Sequence, residues 1–416
     1  MDDLSKSFVP ATFILILICF LSIGLFLKKT SQAIDYWLFL GSLPTLARNS
    51  NRLPEWFTEV FCSLGRGSFF LDGPIFSNLK YFVTCHHKNI EYILKSHSNN
   101  FPKGPDFKQV FDPLGDGIFN VDSDAWKVQR RMAHAAFISS EYKDLVSNMC
   151  RRVVEDQVVP LLVRLAKTGT TIDLQEVCSR FAFDVNMNTI FGTHANYLSI
   201  ELPSNDLAEA IDAAQEGVFY RHTMPMFMWK LKCASGKDTI ASGLIWFFWL
   251  VSKTPSVEKK IIEELKVLIS SKTEKLFEYG EWPWVLYSDD INGLVYLLAL
   301  CESMRIYPPV SYSRKTVLSE AVLLDGSLVK PGMEIIIPFY SVGRMPWIWG
   351  EDCLEFRPER WMDDDGKLNR HENALVAAVL FNFQIEVLEG QHVRPKPAIS
   401  LHTEKGLEVK IKKRVI

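Results

Sequence analysis

CESMRIYPPV, residues 301–310, decides how this chain folds. It closes an apolar run, VYLLALCESMR, that carries only two charges, Glu302 and Arg305. The spacing i, i+3 puts both on one face of a helix. Burying either charge is costly unless it finds a partner. The double proline, Pro308–Pro309, then ends the helix. A third partner stands in FRPERW, residues 356–361, where Arg360 sits in a proline-stiffened loop that ends on a bulky aromatic. An Arg–Glu–Arg triad of this kind would lock the helix to the loop. Taken alone, E-x-x-R reads equally well as an exposed pair worth about 0–1 kcal/mol. Followed by YPP and then by FRPERW, it is a far more specific pattern.

Composition sets the outer bounds. The chain has 416 residues, 48% of them apolar, enough for one large domain or two smaller ones. A net charge of −3 gives no reason to expect a nucleic-acid partner. Its 28 Phe and 11 Trp suit either a large core or a cavity for an apolar ligand. The eight cysteines, at 19, 62, 85, 150, 178, 233, 301 and 353, form no C-x-x-C pair, as expected of reduced, cytosol-facing thiols. Residues 7–27 carry no charge and are long enough to cross a bilayer as a helix. Lys28 and Lys29 follow at once, so the positive-inside rule puts the rest of the chain on the cytosolic side. Residues 1–29 therefore read as a single-pass membrane anchor. The other reading of the segment is a cleaved signal peptide, but it lacks a small-residue cleavage site.

Beyond the anchor, DYWLFLGSLPTL reads as a linker and GSFFLDGPIFSNLKYFVTC as a hairpin broken at Asp-Gly-Pro. NIEYILKS reads as a short helix. Helical periodicity dominates from about 124 to 320, with expected helices at 124–137, 140–167, 173–191, 206–219, 236–252, 256–270 and 290–306. Strands return in EAVLLDG and SLVKPGMEIIIPF, and two more close the chain, AISLHTE and GLEVKIKK. Mostly helices with small strand clusters near both ends predict a mainly α, α-rich α+β fold.

CESMRIYPP together with EDCLEFRPERW resembles the cytochrome P450 family, the haem-thiolate monooxygenases. The resemblance runs over nearly the whole chain and implies haem (heme) as cofactor. DAWKVQRRMAHAAF carries the family's W-x-x-x-R on Trp126 and Arg130, which the resemblance assigns to a haem propionate. A guanidinium suits a carboxylate; without the other motifs, the segment would be an amphipathic helix with one core Trp. Ser235, Gly236, Lys237, Asp238 and Thr239 match the small–Gly–x–acid–Thr pattern of the oxygen-activating helix. By resemblance, Thr239 supplies a hydrogen bond beside bound oxygen and Asp238 relays protons. Read without the family, the same cluster caps the helix that follows. Arg314, with Lys315, falls by resemblance near the haem edge. FPKGPDF, LGDGIFNVDSDAWKVQRR and LIWFFWLVSKTP are closest to the plant branch that hydroxylates long-chain fatty acids and alkanes. That branch implies O2, electrons from NADPH through NADPH–cytochrome P450 reductase, and a catalytic domain held on the cytosolic face of the endoplasmic reticulum membrane.

The pattern breaks in two places. The family carries F-x-x-G-x-R-x-C-x-G after its F-x-P-E-R-W, and that cysteine is the iron's thiolate ligand. Here RPERWMDDDGKLNRHEN runs directly into ALVAAVLFNFQIEVLEG, and no cysteine follows Cys353. The loop reads as deleted between about Leu368 and Leu375. His371, beside the junction, is a lone His in a polar stretch, which is more often unligated than a metal ligand. A second gap reads near Lys232–Ser235, where the family has several more helices. Residues 30–416 thus read as an incomplete P450-like domain. Two readings stand side by side: a P450 monooxygenase acting on aliphatic substrates, and a catalytically inactive truncated relative, at most lipid-binding or reductase-competing. No G-x-S-x-G, G-x-x-x-x-G-K-[ST] or H-E-x-x-H motif points elsewhere.

Overall fold

The computed structural model describes residues 28–31, 34–75, 77, 80–193, 196–204, 239–270, 298–361, 374–396 and 400–414. In chain order the elements that matter are β1 Lys28–Ser31, β2 Ile34–Trp37, α1 Leu53–Leu64, β3 Ser68–Asp72 and β4 Lys80–Thr84. The helices α2 Ser123–Ile138, α3 Ser140–Val153 and α4 Val159–Thr168 come next, then β5 Thr171–Asp173 and α5 Leu174–Asn186. After them come α6 Thr239–Lys253, α7 Pro255–Ser270 and α8 Ala299–Ile306. The chain then forms β6 Ser313–Thr316, β7 Ala321–Val322, β8 Leu328–Val329 and β9 Glu334–Ile337. It ends with α9 Ala374–Asn382, β10 Phe383–Val387, β11 Pro395–Lys396, β12 His402–Thr403 and β13 Glu408–Lys413. Two compact units result, one of residues 1–104 with 312–348, the other of 105–311 with 349–416.

The smaller unit is built on a four-stranded sheet, order β3-β4-β9-β6. β4 and β9 run parallel; the two outer pairings are antiparallel. The period-2 alternation sorts its side chains to two faces. Phe69, Leu71 and Val83 pack with Trp56, Phe57 and Phe61 of α1. Phe82, Ile335 and Ile337 pack on the other side with Ile93 and Phe101. α1 has Pro54 and Glu55 in its first turn and stops at Gly65, whose φ of +59° favours glycine. Sequence reading assigned none of this helix, because LPEWFTEVFCSL follows a stretch already taken as linker. That linker is in part structured: β1 and β2 pair antiparallel, Lys28 opposite Trp37. The expected hairpin at 67–85 is present as β3–β4.

In the larger unit α6 is central and buried from Ala241 to Phe248. A helix apolar on every side belongs inside a core, and α3, α4, α5, α7, α8 and α9 supply the rest of that core. The expected helix 140–167 is divided by a widened turn at Val154–Val158. Pro160 explains this, since it has no N–H to donate and its ring crowds the carbonyl one turn back. The two closing strands take separate partners. β13 lies between β10 and β5, and β12 pairs with β11. The expected helix 206–219 and the first part of 290–306 lie outside the described residues, as does the anchor segment 7–27. Among the described residues, no helix is long and apolar enough to cross a membrane.

Candidate functional site

The opening motif forms the best-defined polar centre of the larger unit. Glu302 and Arg305 project from one face of α8, both buried. Arg305 Nε donates to Glu302 Oε2 at 2.9 Å and Arg305 Nη2 donates to Oε1 at 2.7 Å, a two-pronged pairing. The backbone N–H of Arg357 donates to Oε1 at 3.0 Å and Trp361 Nε1 donates to Oε2 at 2.9 Å. Each carboxylate oxygen thus accepts two hydrogen bonds. Arg305 also donates to the carbonyls of Cys353, at 2.7 Å, and Glu355, at 3.0 Å. Arg360 completes the triad with Nε 3.4 Å from Glu302 Oε1. Its other nitrogens donate to Trp349 O at 2.9 Å and Asp352 O at 2.7 Å. Arg360 also pairs with the Asp352 carboxylate at 2.7 Å, and that hydrogen bond holds the Asp352 carboxyl below the usual carboxylate range. The loop 349–361 is therefore fastened to α8 through buried charge.

Sequence reading found Glu302, Arg305 and Arg360 but missed Asp352, Trp349 and the role of Trp361. Trp349 lies under the Arg305 guanidinium, 5.1 Å from it. Only Trp361 left a trace, as the aromatic that ends FRPERW. The YPP of the motif is also used. Tyr307 ends α8 and stacks on Trp246 of α6 with ring centroids 3.8 Å apart. Trp246 Nε1 and Ser242 Oγ both donate to Leu401 O, at 2.5 and 2.6 Å. One carbonyl of the C-terminal segment thereby ties itself to two residues of the central helix.

The remaining expected site residues fall on separate elements. Trp126 and Arg130 share a face of α2 through their i, i+4 spacing, but no residue of that helix is buried and Trp126 is 39% exposed. Arg314 lies on β6 of the smaller unit and its Nε donates to Glu334 Oε2 at 2.6 Å, so its charge is matched within the sheet. Thr239 is the first residue of α6; Asp238 and His371 lie outside the described residues.

The donor set does not fit a haem held by a thiolate. No cysteine follows Cys353. Among the described residues, no group of three or more His, Cys, Asp or Glu could hold a metal ion.

Comparison with known proteins identifies the framework. The Cytochrome P450 family profile matches residues 34–232 and 231–377, two pieces that meet within the chain. Alkane hydroxylase MAH1 of Arabidopsis thaliana is 29% identical, over 97% of this chain and 98% of its own length. Cytochrome P450 94B3 of the same plant is 29% identical over 98% of both. Noroxomaritidine synthase of Narcissus aff. pseudonarcissus MK-2014 is 27% identical over 96% of this chain and 95% of its own. The first of these alignments runs over 509 positions against a chain of 416, so at least 93 positions face no residue here. With more than half its length matched by one family profile and a Glu302–Arg305–Arg360 lock at the family's motif positions, the chain belongs to the cytochrome P450 family.

Proposed function

We propose that this chain carries the framework of a membrane-bound P450 monooxygenase that hydroxylates long-chain aliphatic substrates, fatty acids or alkanes. The family's haem supplies the oxidising chemistry, with O2 and with electrons from NADPH through NADPH–cytochrome P450 reductase. The observation that carries the reading is the match, along nearly the whole chain, to a plant alkane hydroxylase. A relative of similar identity is a noroxomaritidine synthase, so identity at this level does not by itself choose the substrate. The aromatic-rich composition and the uncharged segment 7–27 support an apolar substrate delivered at a membrane. Within this reading the enzyme sits in the endoplasmic reticulum membrane by a single N-terminal span. By resemblance, Asp238 would relay protons, Thr239 would supply a hydrogen bond beside bound oxygen, and Trp126, Arg130 and Arg314 would face the propionates in a chain that holds haem. Glu302, Arg305 and Arg360 hold the FRPERW loop, after which relatives carry a ligand cysteine that is missing here.

One observation favours a second reading for the 416-residue form: no cysteine follows Cys353. In that reading the form is a truncated relative without turnover, at most binding lipid or occupying the reductase. An internal loss near 232–235 is supported by the two-piece family match, one near 368–375 by the missing cysteine loop, and the positions of relatives left unmatched leave room for both. The test is to sequence the genomic DNA between the codons for Leu368 and Leu375 and to express the chain with any intervening frame restored. Co-expressed with reductase and given a long-chain fatty acid or alkane, the restored chain is expected to yield a hydroxylated product. A restored chain that binds haem and still leaves both substrate classes unchanged would sink the aliphatic reading.

A further inference from the structure

We infer that the smaller unit rests against the bilayer through an apolar patch of Leu38, Leu40, Leu43, Phe70 and Ile75, a second membrane contact beside the N-terminal span. This rests on the membrane-bound reading above and not on the choice of substrate.

The first observation is a turn made of the wrong residues for water. The backbones of Trp37 and Gly41 exchange N–H to O hydrogen bonds at 2.9 and 2.8 Å, so Leu38, Phe39 and Leu40 form the tip between them. Turns in water favour Gly, Pro, Asn, Asp and Ser. Here Leu38 is 48% exposed and Leu40 39%. The second observation is that the patch is held together. Ile75 N–H donates to Phe39 O at 3.0 Å and Ser42 N–H to Asp72 O at 2.7 Å. The Tyr36 hydroxyl donates to Phe70 O at 2.6 Å. Gly41, at φ +56°, lies so close to the β3–β4 connection that a Cβ there would collide with the carbonyl oxygens of Asp72 and Gly73. The Leu38–Leu40 tip therefore shares one surface with Leu43, Phe70 and Ile75, all exposed. A contiguous exposed apolar surface marks a place of contact with a protein or a membrane.

The third observation names the occupant. β1 and β2 pair antiparallel with Lys28 opposite Trp37, and such partners stand about 4.5–5.5 Å apart. β2 thus carries the chain back to where β1 began, and the apolar tip follows at once. The uncharged segment 7–27 ends at Leu27, the residue before Lys28. A span of that length ends at a bilayer surface, so the patch stands where the chain leaves the membrane. Tyr36 and Trp37, at the base of the turn, are the residue types that gather at that level. Apolar side chains beside them would sink about 5–10 Å into the boundary between headgroups and acyl chains. A second copy of the chain would have no such tie to the end of the segment.

The experiment uses the whole chain inserted into phosphatidylcholine–phosphatidylserine vesicles, with a photoreactive diazirine amino acid replacing Leu40, Ile75 or Lys88, one at a time. All three positions are exposed, and Lys88 lies beyond the end of β4 opposite the β3–β4 connection, which makes it the control. Adducts are identified by mass spectrometry after illumination, and retention on the vesicles is scored after an alkaline carbonate wash. The inference expects a retained chain, lipid adducts at 40 and 75, and only water adducts at 88. Water adducts alone at 40 and 75, in a chain that stays on the vesicles, would overturn the patch and leave the span standing. Adducts there to a second copy, or to another segment of the same chain, would overturn it by naming a different occupant. Lipid adducts in equal yield at 88 would overturn the specific face. A chain lost in the wash would overturn the span, and the patch with it. None of these results bears on the restored chain's choice of substrate.

Discussion

Replacing Glu302 by glutamine tests the charge lock with almost no change of shape. The carboxylate accepts four hydrogen bonds, two on each oxygen. A glutamine keeps one acceptor oxygen. Whichever way its amide turns, its NH2 faces two donors, either Arg305 Nη2 with the Arg357 N–H, or Arg305 Nε with Trp361 Nε1. Two bonds are lost and Arg305, its side chain 2% exposed, keeps its charge without a carboxylate. Arg360 Nε, 3.4 Å from Glu302 Oε1, loses its neighbouring charge as well. Breaking a buried ion pair from one side costs about 3–5 kcal/mol, against about 0–1 for an exposed pair. That corresponds to a melting temperature lower by roughly 6–20 °C for a domain of a few hundred residues. The assay is thermal unfolding followed by circular dichroism for the wild type, Glu302→Gln, Arg305→Leu and the double variant. Because the chain divides into two compact units, the affected transition is assigned first, from a variant in the smaller unit. The double variant is expected to lose less than the sum of the singles, since neither charge is then stranded. A Glu302→Gln protein within about 1 kcal/mol of wild type would refute the reasoning and return the motif to an ordinary exposed pair.

Other expectations follow from the same contacts. Trp361→Phe keeps the ring and removes one donor to a carboxylate, so it should cost about 1.5–3 kcal/mol by denaturant titration; a neutral result would mean the indole bond to Glu302 is not made. Trp246→Phe and Ser242→Ala each leave Leu401 O one donor, so each single change should be mild. The pair together strands a buried carbonyl and should cost about 1–3 kcal/mol beyond the sum of the singles; strict additivity would exclude shared capture of that carbonyl. Asp352 has a folded pKa below its unfolded value because Arg360 hydrogen-bonds to its ionised form. Its contribution is therefore present above the unfolded carboxylate pKa of about 3.9 and is lost as pH falls through the folded value. Asp352→Asn should flatten the acid limb of the stability curve, and parallel curves for the two proteins would count against it.

Much of the lock was legible beforehand because its parts are local. Glu302 and Arg305 are one helical turn apart, and a buried charge advertises its need for a partner. Proline and bulky aromatic residues marked the loop that carries Arg360. Asp352 was not legible, since its role depends on how the loop turns back on itself. Arg314 shows the opposite case. Its position matched the family, but only strand pairing showed that Glu334, twenty residues later, already holds its guanidinium.

By itself, the sequence determined the helix-rich class and the charge triad. These follow from periodicity, spacing and residue identity, which need no long-range contact to be read. Tertiary structure alone decided which strands pair, that β13 lies between β10 and β5, and that Leu401 reaches Trp246 and Ser242. It also decided that α2 stands uncovered while α9 is buried. Both helices carry apolar residues in abundance. What separates them is which neighbours the rest of the chain brings against each, and burial is a property of that arrangement rather than of the residues.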